Sequence, residues 1–302
     1  MSDQAASLRE LMAARPIPKI TEENRVKKPA AKKQAKLIAV ASGKGGVGKS
    51  NFTLNLALKI HAAGKKVLVF DADMGMANID VLMGVSSKFS LYHVLTREKR
   101  ISEIIQLGPM GLPYIAGGSG FVELLSLTEQ DIDAFTTDLE SLASEMDYIF
   151  FDTGAGLSLE NRSFIAAADE CIVVTTPEPT AITDAYALIK MMHKINGHSP
   201  FGIIVNRAEN KREADQVSSK IQLVAKRFLG ADIPLLGYIT EDSHVMRAVK
   251  KQTPFTTLYP NCTAAKDMER ISLNYTEMGR TISNGGQGLR GFVAKWLRKT
   301  AQ

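Results

Sequence analysis

Cysteine is scarce in this chain. There are two in 302 residues, Cys171 and Cys262. They have no metal-ligand spacing and cannot build a disulfide framework. That usage points to the cytosol, and Cys171, inside an apolar run, reads as a small core residue. No apolar stretch is long enough to span a bilayer, and no secretory leader pattern precedes the first motif. No internal repeat is evident. Acid is missing where base accumulates: residues 286–302 hold four Lys/Arg and no Asp/Glu, and residues 1–36 hold nine Lys/Arg against four Asp/Glu. The whole chain has a formal charge of +5, so residues 37–285 are mildly acidic, at about −4. That balance argues against a broad nucleic-acid-binding face on the body. The basic character belongs to two short appendages.

Between those ends the chain alternates. Apolar runs at 37–41, 67–71, 112–116, 148–152, 171–175, 201–205 and 235–239 read as strands, and helical patterns separate most of them. Such alternation predicts an α/β fold, a mostly parallel sheet with helices on both faces. A closing helix is expected over 263–283. The first strand runs into Gly43, Lys44, Gly45, Gly46, Val47, Gly48, Lys49 and Ser50, which fit G-x-x-x-x-G-K-[ST] at every fixed position. Glycines there let backbone N–H groups converge on phosphate oxygens, and the helix that follows offers its positive end. In this motif Lys49 reaches the β- and γ-phosphates and the Ser50 hydroxyl serves Mg²⁺. Two further strands end in acid: Asp71 and Asp73 after one, Asp152 before Thr153, Gly154, Ala155 and Gly156 after another. In open parallel sheets, ligands sit beyond these carboxyl ends. Asn206 ends a third strand, and its amide suits the donor and acceptor edge of adenine.

Lys44 is not demanded by the general motif. The loop K-G-G-x-G-K-S resembles the deviant phosphate loop of the MinD/ParA family of P-loop NTPases, which includes the nitrogenase iron protein. The resemblance implies that Lys44 crosses a dimer interface to the phosphates on a second subunit, so that ATP glues a homodimer. It implies a switch I role for Asp73, orienting the attacking water, and an Mg²⁺ role for Asp152, usually through water. Lys44, Asp73 and Asp152 are thus the candidate catalytic residues, and Ser50, Asp73 and Asp152 the candidate metal-side residues. Asn206 would read the base. Thr240, Glu241 and Asp242 fall where the family has a second base-contacting loop, with Thr240 in place of a frequent proline. No strong general base is visible, so slow hydrolysis of ATP to ADP and phosphate is expected. An electron-transfer role like that of the nitrogenase iron protein is not expected, because Cys171 and Cys262 cannot supply cluster ligands in the needed arrangement, even across a dimer.

The ends carry separate expectations. Residues 1–12 contain a short helix-like segment, 13–36 a basic flexible linker, 37–285 the ATPase domain and 286–302 a terminal helix. In the last, Leu289, Phe292, Val293, Trp296 and Leu297 share one helical face flanked by Arg290, Lys295, Arg298 and Lys299. A basic amphipathic helix of this kind suits an anionic membrane surface, as in MinD-type proteins; the same face could instead pack on the body. The N-terminal D-Q-A-x-x-L-R and the segment 178–190 resemble the flagellar branch of the family (FlhG, also written YlxH or FleN), and the likeness covers nearly the whole chain. It implies an N-terminal helix that stimulates the FlhF GTPase, with Gln4 and Arg9 as contacts. It also implies contact with flagellar C-ring proteins of the FliM/FliN/FliY type, control of flagellar number and placement, and a cytoplasmic protein peripheral on the inner membrane face when ATP-bound. Division-site MinD-type and ParA-type positioning ATPases are the alternatives, along with a nucleotide-binding scaffold that hydrolyses almost nothing.

Overall fold

The computed structural model describes residues 35–73, 78–117, 129–196 and 200–278. The expected N-terminal helix with Gln4 and Arg9, the linker up to residue 34, and the terminal helix with Leu289, Phe292, Val293, Trp296 and Leu297 lie outside the described residues. The described chain opens with β1 (Lys36–Ser42), α1 (Lys49–Ala62) and β2 (Val67–Ala72). Three short helices follow, α2 (Ile79–Met83), α3 (Leu91–Leu95) and α4 (Ile101–Ile104), then β3 (Gln106–Leu107) and β4 (Pro113–Ile115). Next come α5 (Glu129–Glu145), β5 (Tyr148–Ala155), α6 (Leu159–Ala167), β6 (Glu170–Thr175) and α7 (Pro179–Asn196). The chain continues through β7 (Phe201–Ala208), α8 (Lys211–Leu229), β8 (Leu235–Thr240), α9 (Ser243–Lys250), α10 (Phe255–Leu258) and α11 (Thr263–Met278).

The strands form one eight-stranded sheet in the order β3-β4-β2-β5-β1-β6-β7-β8. Every neighbouring pair is parallel except β3 and β4. All seven expected strands are present. The two-residue β3 was not expected, because so short a strand carries no period to read. β1 begins at Lys36, the last residue of the expected linker, and α11 is followed as far as Met278.

The apolar runs are continuous because both faces of the sheet are covered. Ile38 and Val40 point to one face, with Val69, Phe150 and Ile172, under α1, α10 and α11. Leu37, Ala39 and Ala41 point to the other. There Phe70, Phe151 and Phe164 cluster, with ring centroids 5.5 Å and 5.8 Å apart for Phe151 with each neighbour. Aromatic pairs of this kind contribute about 0.5–1.5 kcal/mol each beyond their burial. Cys171 is fully buried in this second layer, as expected for a core residue. Among the described residues no helix is long and apolar enough to cross a membrane.

At the amino ends of the strands, α11 is tied to the sheet by a polar knot. The Tyr275 hydroxyl donates to Glu170 Oε2 at 2.8 Å. The same oxygen pairs with the Lys36 ammonium, which also lies 4.9 Å from the Tyr275 ring centroid. Burial, together with the Glu170 charge, pushes the Tyr275 phenol well above its ordinary range, so it stays a donor. This knot anchors the sheet; the opposite, carboxyl end carries the candidate site.

Candidate functional site

The loop between β1 and α1 turns through left-handed backbone at Gly46 and Gly48, with φ of 79° and 91°. A side chain at either position would be strained. Gly48 caps α1, no side chain closes that cap, and no acid stands in the first turn. The helix therefore presents its positive end to the loop. Two glycines also answer to crowding. A Cβ on Gly48 would fall 2.3 Å from Asn206 Nδ2, and a Cβ on Gly43 would fall 2.3 Å from the Asp184 carbonyl of α7.

Lys49 is nearly buried, at 7% exposure, and its Nζ lies 2.9 Å from Asp152 Oδ1. Ser50 Oγ is 3.2 Å from the same ammonium. Thr53, one turn further along α1, places its hydroxyl 2.8 Å from Asp152 Oδ1. Asp152 is fully buried and its second oxygen, Oδ2, has no hydrogen-bond partner. An orphaned carboxylate oxygen at this depth is costly unless a ligand completes it. Its position beside Ser50 fits the demands of a hydrated divalent cation, which takes oxygen donors and keeps part of its water shell.

Asp71 stands opposite Asp152 in the β2–β5 register. Its carboxylate accepts the backbone N–H groups of Asp73, Asn78 and Ile79 at 3.1, 2.9 and 3.1 Å. It thus ties Asp73 to the start of α2. Burial and then the Asp152 charge push the Asp71 carboxyl up to about 7, against the pull of those three N–H groups. Asp73 reaches across to the strand end of β5: a Cβ added to Gly154 would lie 3.3 Å from Asp73 Oδ1. The backbone beyond β5 is held by Gly156 N–H donating to Ser42 O at 2.9 Å and by Asn161 Nδ2 donating to Ala155 O at 3.2 Å. Lys44 sits on the rim, and its Nζ donates to Glu178 Oε2 at 2.7 Å and Thr180 Oγ1 at 2.9 Å.

The expected base-side residues are on the same edge. Asn206 Nδ2 donates to Val47 O at 2.7 Å, so the side chain braces the phosphate loop. Thr240 pairs in register with Ala208, the end of the strand carrying Asn206. Its N–H donates to Asp267 Oδ2 at 2.8 Å, and Glu241 N–H donates to Ala208 O at 2.9 Å. Asp242 has a structural employment: its Oδ1 caps α9 through His244 N–H at 2.9 Å and its Oδ2 takes Ala264 N–H at 3.3 Å. Partial burial opposes ionisation of Asp242, but the His244 and Ala264 donors outweigh it and hold the carboxyl at about 2. The structure therefore brings the loop residues, Asp73, Asp152 and Asn206 to one end of the sheet, with Thr240, Glu241 and Asp242 beside it. Sequence reading missed Thr53; it singled out the segment 178–190 by resemblance, as a dimer-side helix, without pairing Glu178 and Thr180 with Lys44. Thr53 left a signal of its own, standing four residues after Lys49 on the same helical face.

A glycine loop between a central parallel strand and its helix, with a buried lysine on the acid of the adjacent strand, defines a P-loop nucleotide-binding protein. The chain belongs to the ParA/MinD family of P-loop NTPases. The family model, described as ParA, NUBPL iron-transfer P-loop NTPase, matches residues 33–275. The chain is 36% identical over 304 residues to the flagellum site-determining protein YlxH of Helicobacter pylori, covering 99% of each. It is 34% identical over 236 residues to the antiactivator FleN of Pseudomonas aeruginosa, covering 78% of this chain and 84% of that protein. The cell-division ATPase MinD of Pyrococcus furiosus shares the fold with a TM-score of 0.67 at 24% identity, over 81% of this chain and 99% of that one. The Pyrococcus horikoshii MinD complexed with Mg-ADP shares it at 0.67 and 23%, over 83% and 100%.

Proposed function

We propose that this chain is an ATP-switched, homodimerising ATPase that regulates flagellar number and placement. The observation that carries the ATPase reading is the buried Lys49–Asp152 pair beneath the loop, with Asp152 Oδ2 left for a further ligand. In this reading Lys49 and Lys44 neutralise the phosphates, and Ser50 and Asp152 hold Mg²⁺, with Asp73 near them. When bound, the Mg²⁺ would offset charge on the β- and γ-phosphate oxygens. Among the described residues no three His, Cys, Asp or Glu side chains form a metal cage of their own. That suits a cation whose remaining ligands are phosphate and water. Asp73 accepts a hydrogen bond from the attacking water and aligns it, and Asp71 holds the Asp73 backbone through its N–H. Positioning and charge compensation supply the rate. With no strong base to take the water proton, turnover is slow.

The flagellar assignment is supported by the two flagellar relatives and by the N-terminal D-Q-A-x-x-L-R segment. On this reading Gln4 and Arg9 contact the FlhF GTPase and stimulate it, and the body meets C-ring proteins of the FliM/FliN/FliY type. Residues 286–302 bind anionic lipid on the inner face of the cell membrane. Two weak anchors on one dimer hold far better than one, so ATP gates attachment of an otherwise cytoplasmic protein. Flotation with anionic liposomes tests this in ADP, in ATP, and in ATP with Asp73→Ala. ATP-dependent flotation, strengthened by Asp73→Ala and lost on deleting residues 288–302, is the expected result. Flotation indifferent to nucleotide would remove the switch.

A further inference from the structure

We propose that Glu178 and Thr180 are positioning residues that hold Lys44 within its own subunit and so set the affinity of the ATP-bound dimer. The inference rests on the dimer reading above, in which Lys44 serves nucleotide bound to a second copy. In the single chain the Lys44 ammonium is already engaged. It donates at 2.7 Å to Glu178 Oε2 and at 2.9 Å to Thr180 Oγ1. Both acceptors stand at the head of α7, and the loop packs closely on that helix. Gly43 is packed so closely on Asp184 that a Cβ there would fall 2.3 Å from its carbonyl carbon and oxygen. The rim lysine and its two acceptors therefore share one rigid junction, where β1 and β6 lie side by side.

The competition follows from chemistry. An ammonium has three donors and no acceptor capacity, and a phosphate oxygen must outbid a carboxylate and a hydroxyl that are already in place. The hydrogen bond from Lys44, followed by its charge, holds the Glu178 carboxyl below its ordinary range, with Arg207 adding a smaller pull. Glu178 therefore stays ionised through physiological pH, and a phosphate anion competes with it for the same ammonium. Its cost falls on dimerisation as a reduced fraction of competent monomer, and each of the two subunits bears it. The pair is partly exposed, at 39% and 55% for the two side chains, so its contribution is modest. A dimer with both contacts removed should tighten by roughly three- to tenfold.

The test is sedimentation velocity of the full chain with a non-hydrolysable ATP analogue and Mg²⁺, across protein concentration. Glu178→Gln, Thr180→Val and the double variant are compared with wild type and Lys44→Ala. Nucleotide affinity of the dilute monomer is measured alongside with a fluorescent ATP analogue. The expected result is a lower dimer Kd in Glu178→Gln and Thr180→Val, lowest in the double variant, with monomer affinity for nucleotide unchanged and Lys44→Ala monomeric. A dimer Kd unchanged or raised in Glu178→Gln, with Lys44→Ala still monomeric, overturns the proposal and leaves the dimer reading standing. A raised value would place Glu178 among the contacts of the dimer itself. If Lys44→Ala dimerises as wild type does, the dimer reading fails first.

Discussion

The two ends of the sheet treat buried charge differently. At the amino end, Glu170 is met by the Lys36 ammonium and the Tyr275 hydroxyl, and neighbouring Asp169 accepts Leu37 N–H at 2.9 Å. At the carboxyl end Asp152 keeps one oxygen without a partner. There Asp71 is driven up to about 7. The carboxylates of the amino end are met by groups of the chain itself. The other end is complete only with something added, as expected where ligand binding is built into the fold.

Breaking the incomplete end should have the largest effect. Lys49→Met removes the cation that neutralises both the phosphates and Asp152. ATP turnover should fall by about 10³-fold or more. Loss of one partner from a buried pair should also cost roughly 3–5 kcal/mol in the nucleotide-free protein, read by urea unfolding. Wild-type turnover in this variant would show that the loop is not the catalytic site. Asp73→Ala comes next. Turnover should drop about 10²-fold while nucleotide affinity holds, because the residue is assigned to the water rather than the phosphates. A loss of affinity equal to the loss of rate would move Asp73 to ground-state binding.

The pH dependence separates the two ends in a different way. Asp71 has a folded pKa near 7 against an ordinary value of 3.8. Between those values the folded state binds more protons than the unfolded one, so stability falls as pH rises through that window. The urea midpoint of the nucleotide-free protein should therefore decline between about pH 4 and pH 7, and Asp71→Asn should flatten that decline. Asp242 runs the opposite way: its folded value is depressed to about 2, so its contribution is present above pH 4 and lost only as pH falls toward 2. A midpoint that rises steadily from pH 4 to pH 7 in wild type, unaltered by Asp71→Asn, would contradict the assigned shift.

Much of this was legible in the sequence, for physical reasons. Strands covered on both faces read as unbroken apolar runs, and the glycine loop is local, so β1, the loop and α1 could be placed together. Asp73, Asp152 and Asn206 were found because each ends an apolar run. The rest depends on distance along the chain. Lys44 and Glu178 are 134 residues apart, and Tyr275 and Glu170 are 105 apart; no periodicity links such partners. Asp71 was visible as an acid, but its grip on three backbone N–H groups depends on Asn78 and Ile79 lying close to the end of β2. Asp242 shows the reverse case, where a residue in a motif-like position is consumed by capping a helix.

The smallest expected effect tests the amino end. Tyr275→Phe removes one hydroxyl and leaves the ring, which packs with Tyr148 and Phe150 at centroid distances of 6.3 and 6.5 Å. Glu170 would keep Lys36 and lose its phenol donor. A hydrogen bond to a charged acceptor is worth about 1.5–3 kcal/mol. The remaining ammonium recovers part of that, so a loss of about 1–2 kcal/mol in urea unfolding is expected. Turnover should not change, since the knot lies at the opposite ends of the strands from Lys49 and Asp152. If Tyr275→Phe slowed hydrolysis severalfold without altering stability, the two ends would be coupled through α11, and the division between a structural end and a ligand-dependent end would fail.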